Sequence, residues 1–220
     1  MPQQDRALRT RAALIASAAE VFDRHGYPLA SLSTISSRAG VSNGALHFHF
    51  PSKASLADAV GASADHRLAG ITGRNAGLLP GGSLQLLIDA THELVRGFGD
   101  DPVLRVGFSV ARSVQASGAS AAGPRRHWKA WVEETLHQAA GEGTVAPGIP
   151  AQAVVGTLVA TTLGLGALGG RNGSRHAAGT VTRLWELLLP GLVAGGVMGK
   201  LVTTGTTGTT GTTGTAAGRG

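Results

Sequence analysis

The chain of 220 residues contains no cysteine, and only 4% of its residues are aromatic. Without cysteine it can form neither a disulfide framework nor a thiolate metal site, and it has no cysteine nucleophile. This absence fits a reducing cytoplasm, which is the location we expect. The first residues carry mixed charges and no apolar stretch, so we predict no secretory signal. Strand-like alternation is rare throughout, which favours an all-α protein.

The chain has no strong local excess of one charge sign, and it offers few catalytic motifs. The formal net charge of +6 permits nucleic-acid binding, but the basic surplus is spread over both halves of the chain. The eight histidines are scattered, and no Gly-x-Ser-x-Gly motif is present, so we predict no enzyme, no metal site and no cofactor. A Gly-x-Gly-x-x-Gly match at 164–169 leads into loop residues instead of a helix. It therefore does not indicate a dinucleotide site.

One uncharged stretch, 153–170, is 18 residues long and close to the lower limit of a membrane span. It is rich in Gly and Thr and has no aromatic residues at its ends, so we predict no membrane span. We interpret it as a core or dimer-interface helix that pairs with the helix at 174–189. Gly156, Gly164 and Gly166 would allow close helix approach there.

The C-terminal segment differs in composition from the remainder of the chain. Residues 203–214 repeat Thr-Thr-Gly four times. Such a repeat has no large apolar side chain whose burial could offset the entropy of ordering. We therefore predict a disordered Thr/Gly tail over 201–220.

Apolar periodicity, glycine stops and serine caps predict two helical domains before the tail. The first domain, which we call the head, covers 1–55, with its fourth helix continuing to about residue 72, and a second domain covers 73–200. The predicted helices are 7–25, 32–39, 43–48, 52–72, 83–97, 102–115, 125–140, 150–168 and 174–189.

The second and third helices are short and joined by a turn that contains glycine, which predicts a helix-turn-helix. In that motif the first helix lies across the DNA backbone and the second lies in the major groove. Small and polar side chains suited to the groove are Ser42, Asn43, Gly44, His47 and His49. Side chains expected to face the core are Ala45, Leu46, Phe48 and Phe50.

Segments 18–27 and 32–53, with the start of the next helix at Ala54, resemble the TetR family of transcriptional regulators. This resemblance implies a homodimer that binds operator DNA and carries a C-terminal ligand-binding and dimerisation domain. The motif Gly-Ala-Leu-His-Phe-His-Phe, residues 101–113 and a tryptophan beyond them also resemble the γ-butyrolactone receptors of Streptomyces. That subgroup implies a repressor of antibiotic-biosynthesis genes, released by a small apolar signal such as a butyrolactone, butenolide or alkylfuran.

The resemblance also implies which residues of the head contact DNA. The residues expected at base edges are Ser42, Asn43, Gly44 and His47, and those expected at phosphates are Ser31, His49 and Lys53. The family usually has Lys or Arg in place of Asn43 and Tyr in place of His47, so the preferred DNA sequence can differ from that of relatives. The serines can equally serve only as helix caps.

For the ligand, Trp128 matches the pocket tryptophan of the subgroup, and Trp131 is the alternative one turn later. The other candidates are Thr161, Thr162, Gln85, Thr91 and Phe108. Alternatively, these residues have purely structural roles: the tryptophans fill the core, and the threonines bond to carbonyls of their own helix.

Two other functions share the predicted fold. The protein can be a regulator that senses an antibiotic or drug-like molecule, or a structural dimer without a ligand. The volume and polarity of the pocket separate these alternatives from a receptor for a small lactone.

Overall fold

The computed structural model describes residues 2–74, 82–114, 123–169 and 174–206. Within these ranges the chain forms nine α-helices and no strand, which confirms the predicted all-α class. The helices are α1 (Pro2–Leu29), α2 (Leu32–Arg38), α3 (Asn43–His49), α4 (Lys53–Thr72), α5 (Gly82–Asp100), α6 (Pro102–Val114), α7 (Gly123–Gly141), α8 (Ala151–Gly169) and α9 (Ser174–Leu192). Buried apolar side chains form one cluster in the head and another in the body, which is built from α5 to α9.

Helices α2, α3 and α4 are capped at their starts by Ser31, Ser42 and Ser52, where the sequence predicts helix starts. Each serine hydroxyl accepts a hydrogen bond from the backbone N–H three residues later, at 3.0–3.1 Å. Gly26 interrupts α1 with a φ of +75°, and Gly40 follows α2 with a φ of +68°. Residues with a Cβ rarely adopt these values, so the two glycines fix the ends of regular helix. After Gly26, α1 adds one more turn to Leu29.

Arg105 on α6 ties the body to the head. Its Nε and Nη2 donate to the two carboxylate oxygens of Asp23 on α1, at 2.8 and 2.9 Å. Its Nη1 donates to the carbonyl oxygens of Phe98 and Gly99 at the end of α5. The two charged side chains are only 9% and 12% exposed. The hydrogen bond to Asp23 raises the pKa of Arg105, so the guanidinium stays charged.

The same helix packs closely on α4. A Cβ at Gly107 would overlap the Cβ of Ala64, so only glycine permits this approach. Val103 and Val106 of α6 lie in the apolar cluster of the head. Helix α6 is therefore tightly packed against the head.

Residues 201–206 pack against α5, so the predicted disordered tail, 201–220, starts too early in the sequence. Three buried side chains of α5, Gln85, Asp89 and His92, bond to this segment. Composition does not reveal that another helix supplies partners for the backbone of a Thr/Gly stretch. The prediction of disorder is wrong for 201–206, and its remainder, 207–220, lies outside the described residues.

The contact between His92 and this segment makes stability depend on pH. Burial lowers the pKa of His92 from its ordinary 6.5, against the opposing effect of its bond to Thr203. Arg96 lowers this pKa further, and Asp89 raises it. Below about pH 6.5 the unfolded chain therefore binds more protons than the folded one, and the free energy of unfolding falls as the pH falls.

Urea unfolding at about pH 5.5 and about pH 7.5 measures this slope. We expect His92→Gln to reduce the difference between the two values, because glutamine does not titrate. An unchanged difference in His92→Gln would assign the pH dependence to other groups.

One described helix, α8, is long and apolar enough to cross a membrane by length and composition. Its window Ala151–Leu168 has a mean hydropathy of 1.6, yet only 17% of it is buried. Of the two roles predicted for this stretch, the exposure favours an interface over a buried core helix.

Candidate functional site

The helix-turn-helix exposes one side of α3. Ser42, Asn43, Gly44 and His47 all lie at the surface, as predicted for a helix that enters a groove. The last three lie on the same side, because residues three and four apart are neighbours on a helix. Asn43 Oδ1 accepts a hydrogen bond from Ser36 Oγ on α2 at 3.3 Å, which holds the amide against the first helix of the motif.

Phe48 also lies at this surface, and the prediction that it faces the core is wrong. Its side chain is 84% exposed, while Leu46 and Phe50 fill the core positions of α3 and its cap. Phe48 follows Gly44 by one turn, so it shares the exposed side of α3. Its ring packs edge-on against His49, with centroids 5.3 Å apart. The surface of α3 therefore combines polar side chains with one aromatic ring.

Lys53 has a different environment from the one predicted. Its Nζ donates to the carbonyl oxygens of Tyr27, Pro28 and Ala30 at 2.9–3.0 Å. It also lies 4.8 Å from the centre of the Tyr27 ring. An ammonium group has three N–H donors, and all three are used inside the head. This geometry disfavours the predicted phosphate contact and gives Lys53 a structural role at the end of α1.

The other two predicted phosphate contacts lie closer to the surface. The Ser31 hydroxyl is exposed, although it caps α2 and lies 2.7 Å from the Thr34 hydroxyl. His49 is half-buried. An open cleft of about 630 Å³ between α1 and α2 is lined in part by Arg24 and Arg38. Sequence reasoning missed Arg24 because it lies before the helix-turn-helix; a basic residue one turn from the end of α1 is the available signal.

In the body, three predicted ligand residues lie together. Trp128 is fully buried on α7, and its Nε1 donates to Thr162 Oγ1 on α8 at 2.9 Å. Its ring stacks on Trp131, with centroids 5.3 Å apart and planes 20° apart. Thr162 also donates to the carbonyl of Leu158 in its own helix. Thr161, the neighbouring candidate, is half-buried.

The remaining candidates have other partners. The Thr91 hydroxyl accepts the indole N–H of Trp185 on α9 at 2.9 Å, and Gln85 bonds to the backbone of Val202. These contacts argue against a ligand role for either residue. Trp185 is not among the predicted residues, although its apolar spacing with Val181 on α9 is a usable signal for burial.

Phe108 borders the small cavity of the body core. Its ring packs edge-on against Phe98, with centroids 5.0 Å apart, beside a cavity of about 30 Å³. Drug-sized ligands need roughly 300–1,000 Å³. This cavity is too small for such a ligand, and Trp128 does not line it. A ligand that contacts Trp128 must therefore separate the surrounding helices.

A larger groove, of about 700 Å³, lies between α7, α8 and their connection. Glu133, Glu134 and His137 line it together with apolar residues. Two carboxylates favour a cationic guest over a neutral lactone, so this groove fits the predicted ligand class less well than the Trp128 core.

His127, beside Trp128 in the sequence, connects α7 to α4. Its Nδ1 lies 2.9 Å from Asp65 Oδ1, and its Nε2 lies 3.1 Å from Thr72 Oγ1. Both partners belong to α4, the helix that begins in the head at Lys53. A shift of α7 at Trp128 would therefore pull on the helix that carries the head.

Comparisons with known proteins agree with this arrangement. The model of the bacterial regulatory proteins of the tetR family matches residues 14–60, and that of the tetracyclin repressor-like C-terminal domain matches 81–194. The A-factor receptor protein of Streptomyces griseus is 28% identical over 209 residues, which are 93% of this chain and 71% of that protein.

Two solved structures are similar over most of their length. A γ-butyrolactone receptor described as ArpA-like is 30% identical, with a TM-score of 0.71 over 90% of this chain and 96% of that one. CprB of Streptomyces coelicolor, in complex with its operator sequence, is 29% identical, with a TM-score of 0.70 over 86% and 91%. The chain therefore belongs to the TetR family of bacterial transcriptional regulators, which are not enzymes, and within that family it is similar to the γ-butyrolactone receptors.

Proposed function

We propose that this protein is a cytoplasmic repressor that binds a pseudo-palindromic operator as a homodimer and releases it when a small apolar signal enters the body. The signal is a butyrolactone, butenolide or alkylfuran, and the target genes are those of antibiotic or other secondary-metabolite biosynthesis. The observation that carries the proposal is the exposed side of α3, which carries Asn43, Gly44 and His47, with Asn43 bonded to Ser36 on α2. Selection from a random duplex pool by the purified protein tests it: we expect a palindrome, and no enrichment at low salt would contradict it.

The head divides into residues that read bases and residues that contact phosphates. Asn43 can bond an adenine through both amide atoms, and Gly44 lets the helix backbone approach the base edges. Phe48 adds an apolar surface suited to a thymine methyl group. We expect phosphates at Ser31 and Arg24, which lie beside α2, the helix expected to cross the DNA backbone.

Replacing Gly44 by alanine tests the close approach to DNA without disturbing the fold. A Cβ at Gly44 meets only Ser42 Oγ, at 3.9 Å, which is ordinary contact. Alanine should stabilise α3 slightly, by up to about 1 kcal/mol. We expect weaker binding to the selected palindrome, by about tenfold, because the methyl group occupies space at the bases. Fluorescence anisotropy measures the affinity, and wild-type affinity in Gly44→Ala would remove Gly44 from the interface.

Lys53 and Arg24 give a matched pair for the phosphate contacts. Lys53→Met should lower the free energy of unfolding by about 1–3 kcal/mol, because three carbonyls lose a charged donor. It should leave the salt dependence of DNA binding unchanged. Arg24→Gln should do the reverse and reduce the slope of log affinity against log salt by about 1. A reduced slope of log affinity against log salt in Lys53→Met would instead support the phosphate contact that the sequence predicts.

The proposed dimer interface combines α8 and α9. Leu168 on α8 is 87% exposed and Leu187 on α9 is 81% exposed. Only 17% of the apolar window Ala151–Leu168 of α8 is buried, and this open apolar face together with the two leucines supports the interface. Two heads in one dimer can then reach half-sites about 34–36 Å apart, one DNA turn.

Coupling follows from the packing around Trp128. A ligand needs the helices to separate there, so it binds the separated state more tightly than the packed state. Such a difference in affinity is what allows a ligand to shift a conformational equilibrium. We propose that His127 passes the shift of α7 to α4, and that Arg105 passes movement of α6 to α1. A difference of about 5.5 kcal/mol would change a 1:99 balance to 99:1.

A further inference from the structure

The face of α5 that receives the C-terminal segment is unusual for a core helix. Gln85, Asp89 and His92 share one side of α5, and they are 0%, 2% and 5% exposed. Core-facing positions of a helix are normally apolar, and buried polar groups need hydrogen-bond partners. We call these three side chains the α5 polar row.

The partners of the α5 polar row are mostly backbone groups of the segment. Gln85 accepts the N–H of Val202 at 2.8 Å and donates to its carbonyl at 3.2 Å. Asp89 accepts the N–H of Thr206 at 2.8 Å and also its hydroxyl. Gln85 Nε2 further donates to Asp89 Oδ1 at 2.9 Å. The buried carboxylate is thus satisfied by one neighbouring amide and one threonine.

The site therefore recognises little beyond a glycine followed by a threonine. The side chain of Val202 is 41% exposed, and Thr204 is exposed as well. Gly205 is buried with a φ of +79°, and a Cβ there would lie 3.3 Å from His92 Cδ2. A residue with a side chain would be strained at this position. Thr206 is required because its hydroxyl and N–H both bond to Asp89.

The sequence contains this pattern four times. Thr-Thr-Gly-Thr occupies 203–206 and recurs at 206–209, 209–212 and 212–215. A shift of three residues replaces Val202, which offers only its N–H and carbonyl to Gln85, by Gly205. We propose that the α5 polar row is a binding site for an extended Thr-Thr-Gly-Thr segment, and that each of the four copies can occupy it.

The observed copy is favoured by its neighbour Leu201, which packs against the body core. A later copy must lengthen the connection after Leu201 by three residues. Extra length in such a connection adds little to the entropic cost of loop closure, because that cost grows only with the logarithm of the loop length. The later copies should therefore take over when the first is disabled.

Three variants of the full chain test this site. The first carries Gly205→Ala alone and keeps three intact copies. The second changes Gly208, Gly211 and Gly214 to alanine and keeps only the first copy. The third changes all four glycines. Melting temperatures, and hydrogen exchange of the amides at 201–206, are compared with those of the wild type, and circular dichroism checks the helix content.

We expect the first two variants to melt close to the wild type and the fourfold variant to melt about 3–6 °C lower. Exchange of the Val202 and Thr206 amides should accelerate by about tenfold or more in the fourfold variant, as for the loss of a charge-assisted hydrogen bond. It should also accelerate in Gly205→Ala, where a later copy replaces 203–206, and stay slow in the variant that keeps only the first copy. A fourfold variant that melts like the wild type would overturn the site. Gly205→Ala that melts as low as the fourfold variant would overturn the interchange of copies.

A free peptide provides the independent check. Val-Thr-Thr-Gly-Thr should raise the melting temperature of the fourfold variant in a saturable manner. Val-Thr-Thr-Ala-Thr should leave it unchanged, because alanine cannot take the place of Gly205. Equal effects of the two peptides, or none from either, would contradict the site. This outcome is separable from DNA binding, since the α5 polar row belongs to the body and α3 to the head.

Discussion

Replacing Arg105 by methionine is expected to lower the free energy of unfolding by about 3–5 kcal/mol. The substitution leaves the carboxylate of Asp23, which is 12% exposed, without its bidentate partner. It also removes the donor from the carbonyls of Phe98 and Gly99 at the end of α5. Unpaired charge and unsatisfied carbonyls at one junction make this the largest single effect expected outside the apolar core.

A mutant cycle separates the ion pair from the packing. Asp23→Leu combined with Arg105→Met should recover part of the loss, because it removes the orphaned charge. Arg105→Lys should fall between wild type and methionine, since an ammonium cannot make the parallel bonds of a guanidinium. Urea unfolding gives the free energies. A change of less than about 0.5 kcal/mol in Arg105→Met would show that the junction is not held by this pair.

Replacing Trp128 by phenylalanine should weaken the response to the signal while leaving operator binding intact. Phenylalanine keeps most of the buried ring but loses the indole N–H that bonds to Thr162. It also shortens the stacking surface beside Trp131. We expect the ligand concentration needed for half-release to rise by about tenfold, which corresponds to about 1.4 kcal/mol. Anisotropy of labelled operator, titrated with ligand, measures the change.

Trp185 supplies the matched control for Trp128. It is equally buried, and its indole N–H also bonds to a threonine hydroxyl, that of Thr91, at 2.9 Å. Trp185→Phe should lower stability by a similar amount and leave the response to ligand unchanged. Equal shifts of the response in both variants would mean that Trp128 acts only through packing.

The sequence predicted the local features of the head well. The starts of α2, α3 and α4 follow from Ser31, Ser42 and Ser52, because a cap is set by residues within one turn. The helix order and the helix-turn-helix follow from the same kind of short-range signal. Element ends that depend on one glycine or serine can be read without knowing the tertiary structure.

Features set by distant contacts could not be predicted in the same way. Lys53 looked like an anion contact at a helix start, but its ammonium bonds to carbonyls more than 20 residues earlier. Phe48 looked apolar and therefore buried, but the core positions of so short a helix were already filled by Leu46 and Phe50. Residues 201–206 looked disordered because their partners lie on α5.

The central claim is that ligand binding and operator binding exclude each other in this protein. The most direct test takes the palindrome selected by the purified protein and measures its affinity with and without a butyrolactone, a butenolide and an alkylfuran acid. We expect one of these classes to release the operator in a saturable manner, and Trp128→Phe to shift this release. An operator that stays bound with unchanged affinity at saturating concentrations of every class would contradict the mutual exclusion of ligand and operator.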